Sequence, residues 1–253
     1  MIARPGLRLL RIGATQIRAF SSHGASRFRG PIPPVSTIPM PYITEVTAGG
    51  WRTSDIFSKL LQERIVCLNG PIDDTVSASV VSQLLWLESD NPDKPITMYI
   101  NSPGGVVTDG LAIYDTMTYI KSPVSTVCVG SAASMAAILL LGGEPGKRYS
   151  LPHSSIMVHQ PLGGTRGQAT DIMIYASQIQ RTREQINKIV QHHLNKSFGF
   201  EKFDMQAIND MMERDKYLTA EEAKEVGIID HILHRRESKD DKQPAAGDGK
   251  VKL

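Results

Sequence analysis

The chain has 253 residues, 41% of them hydrophobic and 21% charged, the proportions of an ordinary globular protein with one large domain or two small ones. Its 21 glycines and 15 prolines are too few for a collagenous or low-complexity chain, and the longest apolar stretch, Ala132–Leu141, is about half of what a bilayer-crossing helix requires. Two cysteines, Cys67 and Cys128, cannot build a disulfide framework or a zinc site alone, and both sit in β-branched runs that suit small buried thiols.

The formal net charge of +2 conceals a division. Residues 1–44 hold six arginines (Arg4, Arg8, Arg11, Arg18, Arg27 and Arg29) and no Lys, Asp or Glu; the remainder carries 22 basic against 26 acidic residues, a net of −4. The basic balance therefore does not indicate nucleic acid. At helical spacing Arg4, Arg8, Arg11 and Arg18 share one face, with Ile2, Leu9, Leu10, Ile17 and Phe20 opposite. An Arg-rich, Ser-containing, acid-free amphipathic segment predicts a mitochondrial presequence. Arg18-Ala19-Phe20-Ser21-Ser22 resembles a matrix-peptidase cleavage site, and the Pro-rich stretch 31–41 predicts extended linker or propeptide.

Strand and helix signals then alternate. Arg64–Asn69 reads as a strand, and Asp74–Glu88 as a helix with Val76, Val80, Leu84 and Leu87 on one face. Ile96–Ile100 is a strand and Val106–Ile120 a helix. Val124–Val129 is a strand leading through a sharp turn into a short apolar helix, Ser134–Leu141. Tyr149–Leu151 and Ile156–His159 predict short strands. This alternation predicts an α/β domain with helices packed on a largely parallel sheet. Asp171–Lys196 then keeps a three-and-four spacing (Ile172, Tyr175, Ile179, Ile186, Ile189, Leu194) over about seven turns. A helix that long projects from a compact domain and meets a partner. Thr219-Ala220-Glu221-Glu222 is a capping box for a helix ending near Gly227. Ile228–Leu233 reads as a final strand, and the composition from Arg235 onward predicts a disordered tail.

Several site classes are missing. Gly142-Gly143-Glu144-Pro145-Gly146-Lys147 runs into Arg148 where a nucleotide-binding loop needs Ser or Thr, and neither G-x-G-x-x-G nor H-E-x-x-H occurs. His192 and His193 are adjacent, about 100° apart on a helix, and read as solvated surface rather than a metal site. Two strand ends carry more. Asn101-Ser102-Pro103-Gly104-Gly105 leaves a strand before a helix, and paired glycines there can offer bare peptide N–H groups to an anion. Gly130-Ser131-Ala132-Ala133-Ser134-Met135-Ala136-Ala137 joins strand to apolar helix with small residues around Ser134, the crowding that a nucleophile elbow demands. At a helix start, Ser134 and the Met135 N–H lie at the positive end of the dipole; Ser131 is the competing serine, and an N-cap is the competing role for Ser134. A serine nucleophile needs a base. His159, at a strand end one β-unit downstream, fits that need, and His153 is the alternative. Asp171, Asp204, Asp210 and Asp215 are all open as the acid.

Tyr99-Ile-Asn-Ser-Pro-Gly-Gly105, Gly130-Ser-Ala-Ala-Ser-Met135, His159-Gln-Pro-Leu-Gly-Gly164, Gln168-Ala-Thr-Asp171 and Glu213-Arg-Asp215 follow one another in an order that resembles the ClpP family, the proteolytic subunits of Clp proteases, in its mitochondrial form. The likeness runs from about Pro41 to Leu233. It implies an α/β spiral of ββα units shared with crotonases, bearing a protruding handle helix. It also implies a presequence and propeptide over 1–38, a serine peptidase domain over 39–234 and a tail over 235–253. By position, Ser134 matches the family's nucleophile, His159 its general base and Asp215 its third triad member. Gly105 and Met135 match the oxyanion donors, Asp171 and Arg214 a ring-to-ring ion pair, and segment 41–54 the axial pore loop. Leu85, Tyr99 and Tyr119 match the docking site for an AAA+ unfoldase. The implied partners are further copies of the chain in two stacked heptameric rings, that unfoldase, and unfolded polypeptide as substrate. No cofactor, metal, nucleic acid or membrane insertion is implied, and the implied location is the mitochondrial matrix. Two departures stand out: the stretch between His159 and Asp215 is longer than usual by about two helical turns, within 194–212, and Thr97 stands where the docking site commonly has an aromatic. A crotonase-type acyl-CoA enzyme and a non-catalytic ring subunit are the alternative functions.

Overall fold

The computed structural model describes residues 40–47 and 49–234. The presequence, the propeptide and the tail expected from the sequence lie outside the described residues.

Tyr42–Thr47 (β1) and Gly50–Asp55 (β2) form an antiparallel hairpin with Tyr42 opposite Asp55, over most of the segment read as a pore loop. Its apolar side chains Tyr42, Val46 and Trp51 are exposed. Asp55 then caps Ile56–Gln62 (α1), accepting the Ser58 N–H at 2.9 Å. Neither element has a long hydrophobic period, which is why the pattern alone did not show them.

A seven-stranded sheet carries the rest. Ile65–Asn69 (β3), Ile96–Ser102 (β4) and Val124–Ala133 (β5) pair in parallel, followed across the sheet by Arg148–Ser150 (β6) and the two-residue His231–Ile232 (β9). Asp74–Asp90 (α2) and Val107–Tyr119 (α3) are the crossovers, and α2 buries Val80, Leu84 and Leu87 as its spacing predicts, with Val76 packed against the core. The expected final strand, Ile228–Leu233, shrinks to β9 because Ile228 and Ile229 bond back to Ala223 at the end of Ala220–Val226 (α7). The α7 capping box is formed as expected.

The larger correction concerns β5. The strand does not stop at Val129 but runs to Ala133, and the sharp turn lies at Ser134 itself. Between Cys128 and Ser131 the strand passes its edge from β6 to Ser155–Val158 (β7). The helix that follows, Met135–Leu141 (α4), is buried at every residue. At about 1.5–3 kcal/mol for each fully buried leucine, it is a stiff platform behind the turn. Two ionised groups brace the far side: the Arg148 guanidinium, 1% exposed, grips the Asp230 carboxylate and also donates to Ser197 Oγ at 2.8 Å. Burial works against charge on Asp230, yet the hydrogen bonds and charge of Arg148 hold its carboxyl below the usual range.

Ala169–Phe198 (α5) has 30 residues, about 45 Å. Its second half packs through Ile186, Val190 and Leu194, whereas Ile172, Met173, Ile174 and Tyr175 in its first half are exposed. Projection from the domain, expected from the length, is what the structure has. Residues 194–212, where the family resemblance implies extra length, form the end of α5, a turn at Gly199, and Met205–Met212 (α6), capped by Asp204. Lys216–Leu218 (β8) then runs antiparallel to β7. Within the turn, Asn195 binds the Lys202 and Phe203 N–H groups and the Phe203 carbonyl.

The histidine pair does not behave as read from the sequence. His192 is exposed, but His193 is buried and pairs through Nε2 with the Tyr114 hydroxyl at 2.8 Å. The 100° between neighbours on a helix turns one ring out and the other in. Burial, with positive charge on His192, Arg148 and Lys196, lowers the His193 pKa to about 4. His193 is thus neutral in the fold, while the unfolded chain binds a proton near pH 6.5. Stability is full above pH 6.5 and falls progressively toward pH 4, by up to about 3 kcal/mol. Urea midpoints at pH 7 and pH 5 check this. The midpoint should fall at pH 5, and less so in His193→Gln; an equal fall in both proteins refutes the assignment.

Candidate active site

Ser134 is delivered by the end of β5, where its N–H donates to the Met157 carbonyl at 2.8 Å. Its backbone has φ 56° and ψ −124°, a conformation that side-chain-bearing residues avoid and that costs about 1–3 kcal/mol. The turn projects the hydroxyl off the sheet before α4 begins. Ser134 sits at the N-cap, but its side chain makes no capping bond; the hydroxyl is engaged elsewhere. Its Oγ lies 2.9 Å from His159 Nε2, and His159 Nδ1 lies 2.9 Å from Asp215 Oδ1. With Nδ1–H donating to the carboxylate, Nε2 is left to accept the serine proton.

Strand register explains why residues 56 positions apart meet. In the β7–β8 ladder Ile156 faces Leu218 and Val158 faces Lys216, so the next opposed pair is His159 and Asp215. Met157 turns its carbonyl toward Ser134, on the β5 side. The hydrogen-bonded pairs with β8 are therefore Ile156/Leu218 and Val158/Lys216. His159/Asp215 falls in the closer, non-hydrogen-bonded class, where side chains approach best.

The glycine loop after β4 closes the site. Gly104 packs against the turn so tightly that a Cβ there would stand 2.6 Å from the Ala133 carbonyl oxygen and 2.8 Å from Ser134 Cβ. Ile72 bonds to the residues flanking Gly105, its N–H to the Gly104 carbonyl and its carbonyl to the Val106 N–H, each at 2.9 Å. Gly105 thus turns its own N–H to the opposite side, toward β5. A Cβ on Gly105 would meet the Ile72 oxygen at 2.1 Å. The Met135 N–H, first in α4, has no intrahelical acceptor. A Cβ on Gly104 would also stand 3.0 Å from the Met135 nitrogen, so the glycine loop and the start of α4 meet beside Ser134.

The open alternatives separate. Ser131 lies inside β5 opposite Ser155, and His153 is exposed in a turn. Asp204 caps α6, Asp210 accepts from Gln206, and Asp171 lies in the first turn of α5; of the four acids, Asp215 alone reaches His159. Asn101 and Ser102 escaped the sequence reading. The Asn101 side chain accepts the Ser131 N–H at 3.3 Å and Ser102 Oγ accepts the Gly104 N–H at 3.1 Å, so both shape the approach to the site. Two polar residues just ahead of the Pro-Gly-Gly turn were the available signal. Leu85 and Tyr119 are exposed, Tyr99 is half-buried, and Asp171 and Arg214 are both exposed. Among the described residues, no cluster of His, Cys, Asp or Glu could hold a metal ion and no helix is long and apolar enough to cross a membrane.

A strained serine between strand and buried helix, a histidine within reach and a carboxylate behind it place the chain in the class of α/β serine hydrolases. The particular family follows from comparison: a sequence model of the Clp protease family matches residues 48–236. The chain belongs to that family and is a ClpP-type serine protease, with the α/β fold and long helix expected of it.

Proposed function

We propose that the chain is the peptidase subunit of a compartmental protease, cutting unfolded polypeptide inside a chamber of stacked rings. The observation that carries this reading is the unbroken run Ser134 Oγ–His159 Nε2, His159 Nδ1–Asp215 Oδ1, each contact 2.9 Å. In the reaction His159 takes the Ser134 proton as the oxygen attacks the scissile carbonyl. The oxyanion is held by the Gly105 and Met135 N–H groups, and His159 returns the proton to the leaving amine. Water then attacks the acyl-enzyme by the same route. Asp215 holds the imidazole tautomer and stabilises the imidazolium. A crotonase would have no use for this Ser-His-Asp set, and a non-catalytic subunit would not need it intact. Labelling with a fluorophosphonate followed by mass mapping tests the reading: modification at Ser134 is expected, and modification confined to any other serine overturns it.

The finer reading is a subunit that hydrolyses small peptides without ATP and degrades proteins processively when an AAA+ unfoldase feeds it. The exposed Leu85 and Tyr119 and the half-buried Tyr99 are the surface proposed for that unfoldase, to which ATP would belong, in keeping with the missing Walker-type loop in this sequence. The exposed apolar half of α5 (Ile172, Met173, Ile174, Tyr175) supports meshing between two heptameric rings, since a surface of this kind calls for a partner. The Arg-rich segment before residue 38 supports import into the mitochondrial matrix and removal there, within protein quality control.

Assembly and chemistry share one short segment, because Arg214 adjoins Asp215. If Arg214 pairs with Asp171 of the facing ring, Arg214→Ala frees that segment. The variant is expected to lose peptide hydrolysis and to sediment increasingly as single rings. Arg214→Lys should rescue it only partly, because a lysine lacks the bidentate guanidinium fork. Full activity in single rings refutes the link.

A further inference from the structure

Asp215 presents a physical problem. Its side chain is 60% exposed, so burial does not fix it. It also lies one residue beyond the last ladder pair, Val158/Lys216, at a strand end of the kind that frays. The next position that could continue the ladder pairs Gln160 with Arg214, but Pro161 follows and the strands separate.

Two side chains close this open end. Gln160 Nε2 donates to the Glu213 carbonyl oxygen at 2.9 Å. It spans the two strands just past His159/Asp215, where the next ladder bond would have been. From the other side, Arg183 on α5 reaches down to the Glu213 carboxylate, 2.7 Å from its Nη2 to Oε2. Glu213 is thus held at both ends, by its main chain to the strand that carries His159 and by its side chain to the long helix. Asp215 follows two residues later. Arg183 is suited to this work because its side chain is only 25% exposed and a planar guanidinium is pre-organised for carboxylate.

We propose that Gln160, Glu213 and Arg183 form a clasp that positions Asp215 against His159 from within one subunit. The proposal rests on Ser134, His159 and Asp215 being the triad, and it adds to the proposed ring contact a restraint that needs no second copy. The three are positioning residues: they touch neither the serine nor the site of the oxyanion and act only through the location of the acid.

The test is a double-mutant cycle on the assembled protein, reading peptide hydrolysis and sedimentation together. Arg183→Ala is expected to lower kcat on the order of 10- to 100-fold, the effect of a misplacement near 1 Å, with KM little changed and the assembly intact. Arg183→Lys should recover part of that loss. The decisive comparison is in the Asp215→Asn background. With the acid's role already gone, Arg183→Ala should have no further effect, because the two changes remove one function. Equal fold losses in both backgrounds would mean a general structural role and overturn the proposal. If Arg183→Ala does not assemble, Gln160→Met, which leaves the α5 contact in place, carries the same cycle with the same outcomes. Failure of the triad reading is separate: Asp215→Asn alone would then keep its activity, whatever Arg183 does.

Discussion

Ser134→Ala is expected to lower peptide hydrolysis by on the order of 10⁶, the scale seen when a triad serine is removed, while leaving folding and assembly unchanged. The chemistry loses its nucleophile, since the hydroxyl 2.9 Å from His159 Nε2 is the protein group that attacks and forms the acyl-enzyme. The fold has little to lose. The Ser134 side chain makes no capping bond to α4, so its removal leaves that helix as it was. Alanine retains the Cβ, so the cost of φ 56° is carried equally by both proteins. Hydrolysis of a small fluorogenic peptide, thermal melts and sedimentation check the three parts. Activity within tenfold of the parent protein would sink the assignment. A large drop in melting temperature would show that the hydroxyl also supports the turn.

Asp215→Asn is expected to cost about 10⁴ in kcat, the effect of placing the imidazole in the wrong tautomer. An asparagine offers its amide N–H₂ or its oxygen to Nδ1. When it donates, Nδ1 becomes the acceptor, the proton moves to Nε2, and Nε2 can no longer take the proton of Ser134. The change preserves shape at a side chain that is 60% exposed, so stability should move by less than about 0.5 kcal/mol. Steady-state kinetics with a peptide substrate, beside a denaturant midpoint, separate the two effects. A loss smaller than tenfold would remove Asp215 from the mechanism and reopen the choice among the downstream acids.

Much of this was legible in the residues. The α2 face, the capping box at Thr219 and the long α5 all follow from local periodicity or local side-chain bonds, and they appear where expected. Ser134 was marked by its small neighbours and His159 by its place at a strand end. The errors have physical causes. β5 overran its expected end because Gly130-Ser131-Ala132-Ala133 looks like a turn by composition, whereas its pairing with β7 lies outside any local window. His193 was read as surface because adjacency on a helix shows that two rings diverge but not which one faces the core. The hairpin β1–β2, helix α6 and strand β8 are too short or too mixed in pattern to announce themselves.

The sequence by itself determined the α/β class, the strained serine turn, the bare glycine loop and the lack of nucleotide-binding and zinc-protease motifs. These depend on residue type and spacing within a few positions. It could name the acid only through family resemblance, because four aspartates satisfied every local criterion. Tertiary structure decided among them by strand register: β8 returns antiparallel to β7, and the first pair past that ladder is His159 with Asp215. The same long-range pairing exposes Asp215 at a strand end and brings Gln160, Glu213 and Arg183 around it. Contacts between segments 30 to 56 residues apart leave no periodic trace in the chain, since nothing in either segment's own pattern records which partner it will meet.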